Sequence, residues 1–322
     1  MNKVEIKTGK ALHEVSPLLY GLFLEDINFT CDGGMNANRI ANHSFDGVYI
    51  EGSYDNMLDG IYQRLEPDVY PERLRYWEVD GGTIFSMEED GFSKNNPWYA
   101  RLSISGKCTV INKGFNGRQK NKEKCAISIE TDHEYEFSGY FRTMDYSGTI
   151  LISIEDENGN PLTDEQQIKI SKEWSRINCN IYGKKNDYGC LKIEFTGNGT
   201  LDMDCIVFMD TDTWGKDDAK WSGGHLRKDM VEVLKEMNPS FLRFPGGCIV
   251  EGIFQGNEYQ WKNTIGTIEE RIPNVSYWGA AVEDKGYCQS NQVGFYEYFL
   301  MCEDLKMEPL PVVWAGITCQ FK

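Results

Sequence analysis

The stretch Phe241-Leu-Arg-Phe-Pro-Gly-Gly-Cys-Ile-Val-Glu-Gly252 constrains this chain more than any other. Phe241, Leu242 and Phe244 suit a buried pleat. Pro245 ends ladder donation, and Gly246-Gly247 leaves the backbone free to turn with positive φ. The stretch therefore predicts a strand that breaks into a turn, with Arg243, Cys248 and Glu251 at or just past its carboxyl end. In α/β proteins ligands bind at that end. A buried strand with an ordinary Gly-Gly turn would read the same way, except for the Arg. A guanidinium inside an apolar strand calls for an anionic partner.

The flanking segments read as α/β. Leu18-Leu-Tyr-Gly-Leu-Phe-Leu24 is a nearly continuous apolar run, as expected of a strand buried on both faces. It ends in Glu25-Asp26-Ile27-Asn28, and carboxylates after a buried strand are costly unless used or exposed. A helix is predicted through Met35–Asn42. Leu226, Met230, Val233, Leu234 and Met237 fall at helix spacing, and Asn238-Pro239 stops that helix. A further helix is expected over about Gln292–Leu305, then a buried strand over Leu310–Ile317.

Between these parts the texture changes. Ala126-Ile-Ser-Ile129, Tyr135–Phe141, Thr149–Ile154 and Leu191–Phe195 are short alternating runs separated by turn residues such as Asp156-Glu-Asn-Gly-Asn160. That pattern predicts a β-sandwich. The expected organisation is residues 1–74 as the start of a (β/α)8 barrel, 75–214 as an inserted sandwich, and 215–322 as the barrel's continuation. The fold class is α/β plus all-β. About three parallel strands are visible, whereas such a barrel needs eight and typically ~250 residues. The expectation is therefore the N-terminal part of a longer protein.

Composition limits the partners. With 33 basic and 50 acidic residues the net charge is −17, which disfavours a nucleic-acid backbone. No apolar run reaches about 18 residues, and the N-terminus lacks a signal-peptide core, so no membrane partner and a cytoplasmic location are expected. The ten cysteines include no Cys-x-x-Cys pair and no zinc-finger spacing. Most read as reduced buried thiols, and neither a metal nor a cofactor is expected.

At Gly21-Leu-Phe-Leu-Glu-Asp-Ile-Asn28 and at the Arg-Phe-Pro-Gly-Gly-Cys turn, the chain closely resembles the α-L-arabinofuranosidases of glycoside hydrolase family 51. Asn42-His-Ser-Phe45, Trp261–Gly266 and Glu297–Leu305 with Glu308-Pro-Leu310 add to the resemblance, which covers nearly the whole chain. The 75–214 region is similar to the carbohydrate-binding-module-like sandwich of some members.

The resemblance implies a retaining (β/α)8 glycosidase acting on arabinose-containing polysaccharide or oligosaccharide, with a homo-oligomer left open. Retention needs two carboxyl groups about 5–5.5 Å apart. The family's acid/base follows an Asn at the fourth barrel strand. The Asn257-Glu258 pair follows the Cys248 turn too closely for that and reads as a chance match. No catalytic carboxylate is therefore expected in this chain, which alone should be inactive.

The resemblance implies substrate contacts for Glu25, Asn28 and Cys248, and a nucleophile-supporting role for Arg243. Each also has a structural alternative: a helix cap for Glu25, packing for Cys248, an ion pair for Arg243. Trp98, Trp174 and Trp214 could stack on sugar or belong to the core. A non-catalytic carbohydrate-binding protein and a family-51-like endoglucanase are the alternative functions.

Overall fold

The computed structural model describes residues 3–5, 9, 13–50, 69–116, 124–222, 224–252, 256–276 and 287–319. Described elements run β1 (Leu22–Phe23), a five-residue π-turn (Cys31–Met35), β2 (Val48–Ile50) and β3 (Val69–Pro71), then β4 (Trp77–Met87), β5 (Tyr99–Asn112), β6 (Ile127–Ile129) and β7 (Glu134–Thr143). Next come β8 (Ser147–Glu155), β9 (Gln166–Ile168), β10 (Ser175–Tyr182), β11 (Asp187–Asp210), α1 (Lys228–Glu236), β12 (Phe241–Phe244) and α2 (Cys248–Glu251). The chain closes with β13 (Asn274–Val275), β14 (Cys288–Gln289), α3 (Phe295–Leu305) and β15 (Glu308–Pro311). The fold is mixed, mostly β with few helices. Among the described residues no helix is long and apolar enough to cross a membrane.

β4 to β11 form one antiparallel eight-stranded unit. Its spine is β11. Leu191–Met203 pairs with β5 on one side. On the other side Cys190–Asn198 pairs with β8, and β7 takes over from Leu201. One strand can serve both neighbours because the changeover is built from glycine. A Cβ on Gly148 or Gly197 would lie 2.7 Å from the other's Cα. The alternating runs seen in the sequence bury one side-chain set here: Phe137, Phe141, Ile152, Ile193, Phe195 and Phe208 are almost fully enclosed. Ile40 and Phe45 enter the same core from outside the unit. Beneath it, the wholly buried Asp202 accepts from Arg101 Nε at 2.7 Å and Arg142 Nε at 2.8 Å.

The second core belongs to a small parallel sheet ordered β1-β12-β15. Leu22 stands opposite Leu242, and Phe23 opposite Arg243. Phe241–Phe244 pairs in register with Glu308–Pro311. The motif glycine Gly21 is required because Phe241 lies against it: a Cβ there would fall 2.3 Å from the ring. α1 and α3 both arise where helix spacing predicts them.

Three sequence expectations need correction. The predicted helix over Met35–Asn42 is absent; only the π-turn Cys31–Met35 forms. Asn36 Oδ1 accepts from the Asn38 N–H at 3.0 Å, and Asn38 Oδ1 from the Ile40 N–H at 3.1 Å. Asparagine side chains thus take the donors that a helix would use. The Leu18–Leu24 run is not buried on both faces. Only Leu22–Phe23 pairs, and Leu19 and Phe23 are 72% and 55% exposed. Likewise Leu310–Ile317 is a strand only to Pro311, and Leu310 and Val313 are half exposed. β1 and β15 are the two edges of the sheet, so each has a β-partner on one side only among the described residues.

Candidate functional site

The site is set by β1 and β12 running side by side in the same direction, so their carboxyl ends coincide. The Leu24 N–H bonds the Arg243 carbonyl at 2.8 Å, and the Asp26 N–H bonds the Pro245 carbonyl at 3.1 Å. This carries the first strand's acidic end alongside the Pro-Gly-Gly turn. Glu25 Oε1 then accepts two backbone donors, Gly247 N at 3.0 Å and Ile249 N at 3.2 Å. Cys248 lies between those donors, at the start of α2. Gly246 makes the approach possible: at φ +152° a Cβ would meet Glu25 Cγ at 2.6 Å.

Glu25 and Cys248 are therefore joined through one oxygen and two amides, and both remain half-buried. Glu25 caps the short helix, which is the structural alternative raised from the sequence. Oε2 carries neither of those bonds. Cap and ligand contact are compatible in one carboxylate, since each oxygen accepts on its own account.

Arg243 corrects a finer expectation. It is half-buried rather than enclosed, and its guanidinium sits 4.4 Å above the centre of the Phe23 ring. Among the described residues no carboxylate pairs with it. A cation–π contact holds its stem without neutralising it. Asn28 is exposed, with φ 53° and its N–H bonded to the Tyr287 hydroxyl at 2.8 Å.

Glu258 belongs to the loop packed against the end of α2, where a Cβ on Gly252 would fall 2.7 Å from Glu258 N. It is buried in a loop, with Oε2 accepting from Gly256 N at 2.6 Å and Oε1 from Gln260 Nε2 at 2.7 Å. Asn257 donates to Asn274 Oδ1 and the Val275 carbonyl. Neither residue lies in or next to a strand of the parallel sheet. The three tryptophans are half-buried and engaged with protein. Trp98 lies under Arg73, Trp174 under Arg142, and Trp214 donates to Asp304 Oδ2 at 2.9 Å.

Beneath the site is a buried acidic layer, of which the sequence flagged Asp26 as a costly carboxylate but not Asp32. Asp26 accepts from Cys31 N at 3.1 Å and from Gln289 Nε2. Asp32 accepts from Ser290 N at 2.6 Å and Ser290 Oγ at 2.7 Å. Burial, reinforced by the Asp32 charge, pushes the Asp26 carboxyl up to about 6. Both aspartates tie the 288–292 segment to the end of β1. The signal available in the sequence was the second carboxylate of Glu25-Asp26.

His43 borders the same region. Its Nδ1 lies 2.8 Å from Gln292 Nε2, and burial pushes its pKa down to about 4. A histidine depressed on folding contributes stability above its unfolded value, lost as pH falls through the folded one. The wild-type advantage over His43→Asn should thus shrink between pH 7 and pH 4, by up to about 3 kcal/mol. Denaturant midpoints at both pH values check this. Asp26 has the opposite sense, a raised pKa whose contribution fades as pH rises, but it is common to both proteins. An advantage equal at the two pH values would exclude His43 as the titrating group.

The family model described as "Alpha-L-arabinofuranosidase 1 domain" matches residues 233–322. An extracellular exo-α-L-arabinofuranosidase of Streptomyces chartreusis is 29% identical over 94% of this chain and 33% of its own length. The α-L-arabinofuranosidase 1 of Arabidopsis thaliana is 26% identical over 93% of this chain and 41% of its own. Among solved structures, an arabinose-bound MgGH51 α-L-arabinofuranosidase superposes with TM-score 0.75 at 25% identity, covering 96% of this chain and 46% of that one. The chain spans a third to less than half of the relatives it matches. The family model covers the Arg-Phe-Pro-Gly-Gly-Cys motif, and the relatives and the solved structure span nearly the whole chain.

Proposed function

We propose that this chain is the N-terminal, sugar-contacting part of a retaining α-L-arabinofuranosidase that releases terminal arabinofuranosyl groups from arabinoxylan, arabinan or their oligosaccharides. One observation carries the reading. Parallel pairing of β1 with β12 brings the Glu25 carboxylate against Gly247-Cys248-Ile249, while Arg243, without a carboxylate partner among the described residues, stands in the adjoining strand. Glu25 Oε2, Asn28 and Cys248 contact the furanose hydroxyls, and Arg243 holds the nucleophile carboxylate ionised.

The same reading treats 1–74 and 215–322 as part of a (β/α)8 barrel and 75–214 as an inserted carbohydrate-binding-module-like sandwich. The parallel order β1-β12-β15 and the antiparallel β4–β11 unit support it. Exposed Phe23 and Leu310 on the edge strands, and Val313 just past one of them, support further barrel elements in the parent.

The reading assigns the catalytic carboxylates to the rest of the parent. Retention needs a nucleophile and an acid/base. Glu25 is engaged as a cap, and Glu258 is bonded within its own loop. The purified chain should hydrolyse aryl α-L-arabinofuranosides no faster than background. Turnover that survives purification and disappears in Glu258→Ala would overturn the assignment of the chemistry to the rest of the parent.

A further inference from the structure

We propose that Cys248, Glu251 and Cys319 form a binding site for a soft divalent cation of the zinc class. The Sγ atoms of both cysteines and a carboxylate oxygen of Glu251 all lie within 4.8 Å of one another. No other group of three or more such residues was found among the described residues. Cys248 and Glu251 are three apart on α2, a spacing that puts both side chains on one helix face. Cys319 comes from the segment after β15, and its N–H bonds the Gly252 carbonyl at 3.1 Å. That bond pins the distant segment to the end of α2.

The chemistry of the donor set selects the ion. Two thiolates favour zinc-like ions over magnesium or calcium, which prefer oxygen throughout. Around tetrahedral zinc, with Zn–S of about 2.3 Å, two sulfurs stand about 3.8 Å apart. Side-chain adjustments of about an ångström would close the present spacing to that value. Cys319 is buried, whereas Cys248 and Glu251 are partly open, so an ion has a route in. Three protein ligands leave a fourth position for water, the pattern of reactive rather than purely structural zinc. Sequence spacing hid the site because its two sulfurs are far apart in the chain. The inference shares Cys248 with the proposed sugar contacts, but its test reads metal binding alone and so can fail without the hydrolase assignment failing.

The test titrates the purified, reduced and chelator-stripped chain with Zn²⁺ alone, and separately with Co²⁺, whose thiolate charge-transfer absorption reports sulfur ligation. One Zn²⁺ per chain is expected, with a Co²⁺ band of two-thiolate intensity. Affinity should fall at least about tenfold in Cys319→Ser and in Glu251→Gln. The band should halve in the first and persist in the second. Cys179→Ser, in β10, should change neither. Absence of stoichiometric Zn²⁺ would overturn the site, as would equal affinity in wild type and Glu251→Gln. If Cys319→Ser does not fold, Glu251→Gln decides alone, because it retains both thiols. A Cys248–Cys319 disulfide in chain isolated without reductant, with no Zn²⁺ binding after reduction, would replace the cation site by a redox pair.

Discussion

Arg271→Met is expected to destabilise the chain by about 3–5 kcal/mol, the cost of leaving one member of a buried ion pair alone. Arg271 is 1% exposed and its partner Glu297 is fully buried. Two parallel bonds of 2.8 Å join guanidinium to carboxylate. The remaining guanidinium donors reach the Gly266, Asn291 and Gln292 carbonyls. Glu297 Oε2 also accepts the Gly294 N–H at 2.8 Å, at the start of α3. The pair therefore fixes the entry to α3 and the irregular segment before it. From there the Arg271 carbonyl accepts from Asn96 Nδ2 at 2.6 Å, reaching the loop between β4 and β5.

Glu297→Leu should cost a similar amount for the opposite reason, an unpaired buried cation. The Arg271→Met/Glu297→Leu double variant should lose less than the sum of the two, because no lone charge remains. Denaturant midpoints of all four proteins measure this. A single-variant loss below about 1 kcal/mol, or simple additivity, would show that the pair is solvated rather than buried.

Arg243→Ala in the parent enzyme is expected to lower kcat by about 10²–10³, the range for removing one electrostatic stabiliser. Arg243 has a half-buried position, a ring beneath it at 4.4 Å and no carboxylate partner among the described residues. In the proposed reading its charge is available to a nucleophile carried by the rest of the parent. Removing it would let that carboxylate drift toward protonation, which changes turnover more than KM. Glu25→Ala should behave differently. It removes the cap on Gly247 and Ile249 and, in the proposed reading, the hydroxyl contacts, so KM should rise as kcat/KM falls. Steady-state kinetics on an aryl α-L-arabinofuranoside separate the two. An Arg243→Ala kcat within a few-fold of wild type would end the assigned role.

Elements whose causes are local were legible in the residues alone. The Pro-Gly-Gly turn after Phe241–Phe244, the helices α1 and α3, and the alternating runs within β6, β7, β8 and β11 each follow from residue type and period over a few positions. The parallel relation of the two motif strands was also legible, because buried strands separated by helices pair that way. Long-range partnership was not legible. Asn36 and Asn38 cancel a predicted helix because their side chains capture nearby amides, and Asn38 Oδ1 also accepts from Phe208 N, on β11. Leu19, Phe23 and Leu310 read as core because hydrophobicity reports a preference for burial, whereas burial itself depends on which neighbours are present. The chain path alone makes Arg271 meet Glu297, one oxygen of Glu25 cap the turn bearing Cys248, and Cys248 lie near Cys319. Each of these is a geometric coincidence of side chains distant in the chain. Such distances are set by sheet register and loop path, which no local pattern of residues encodes.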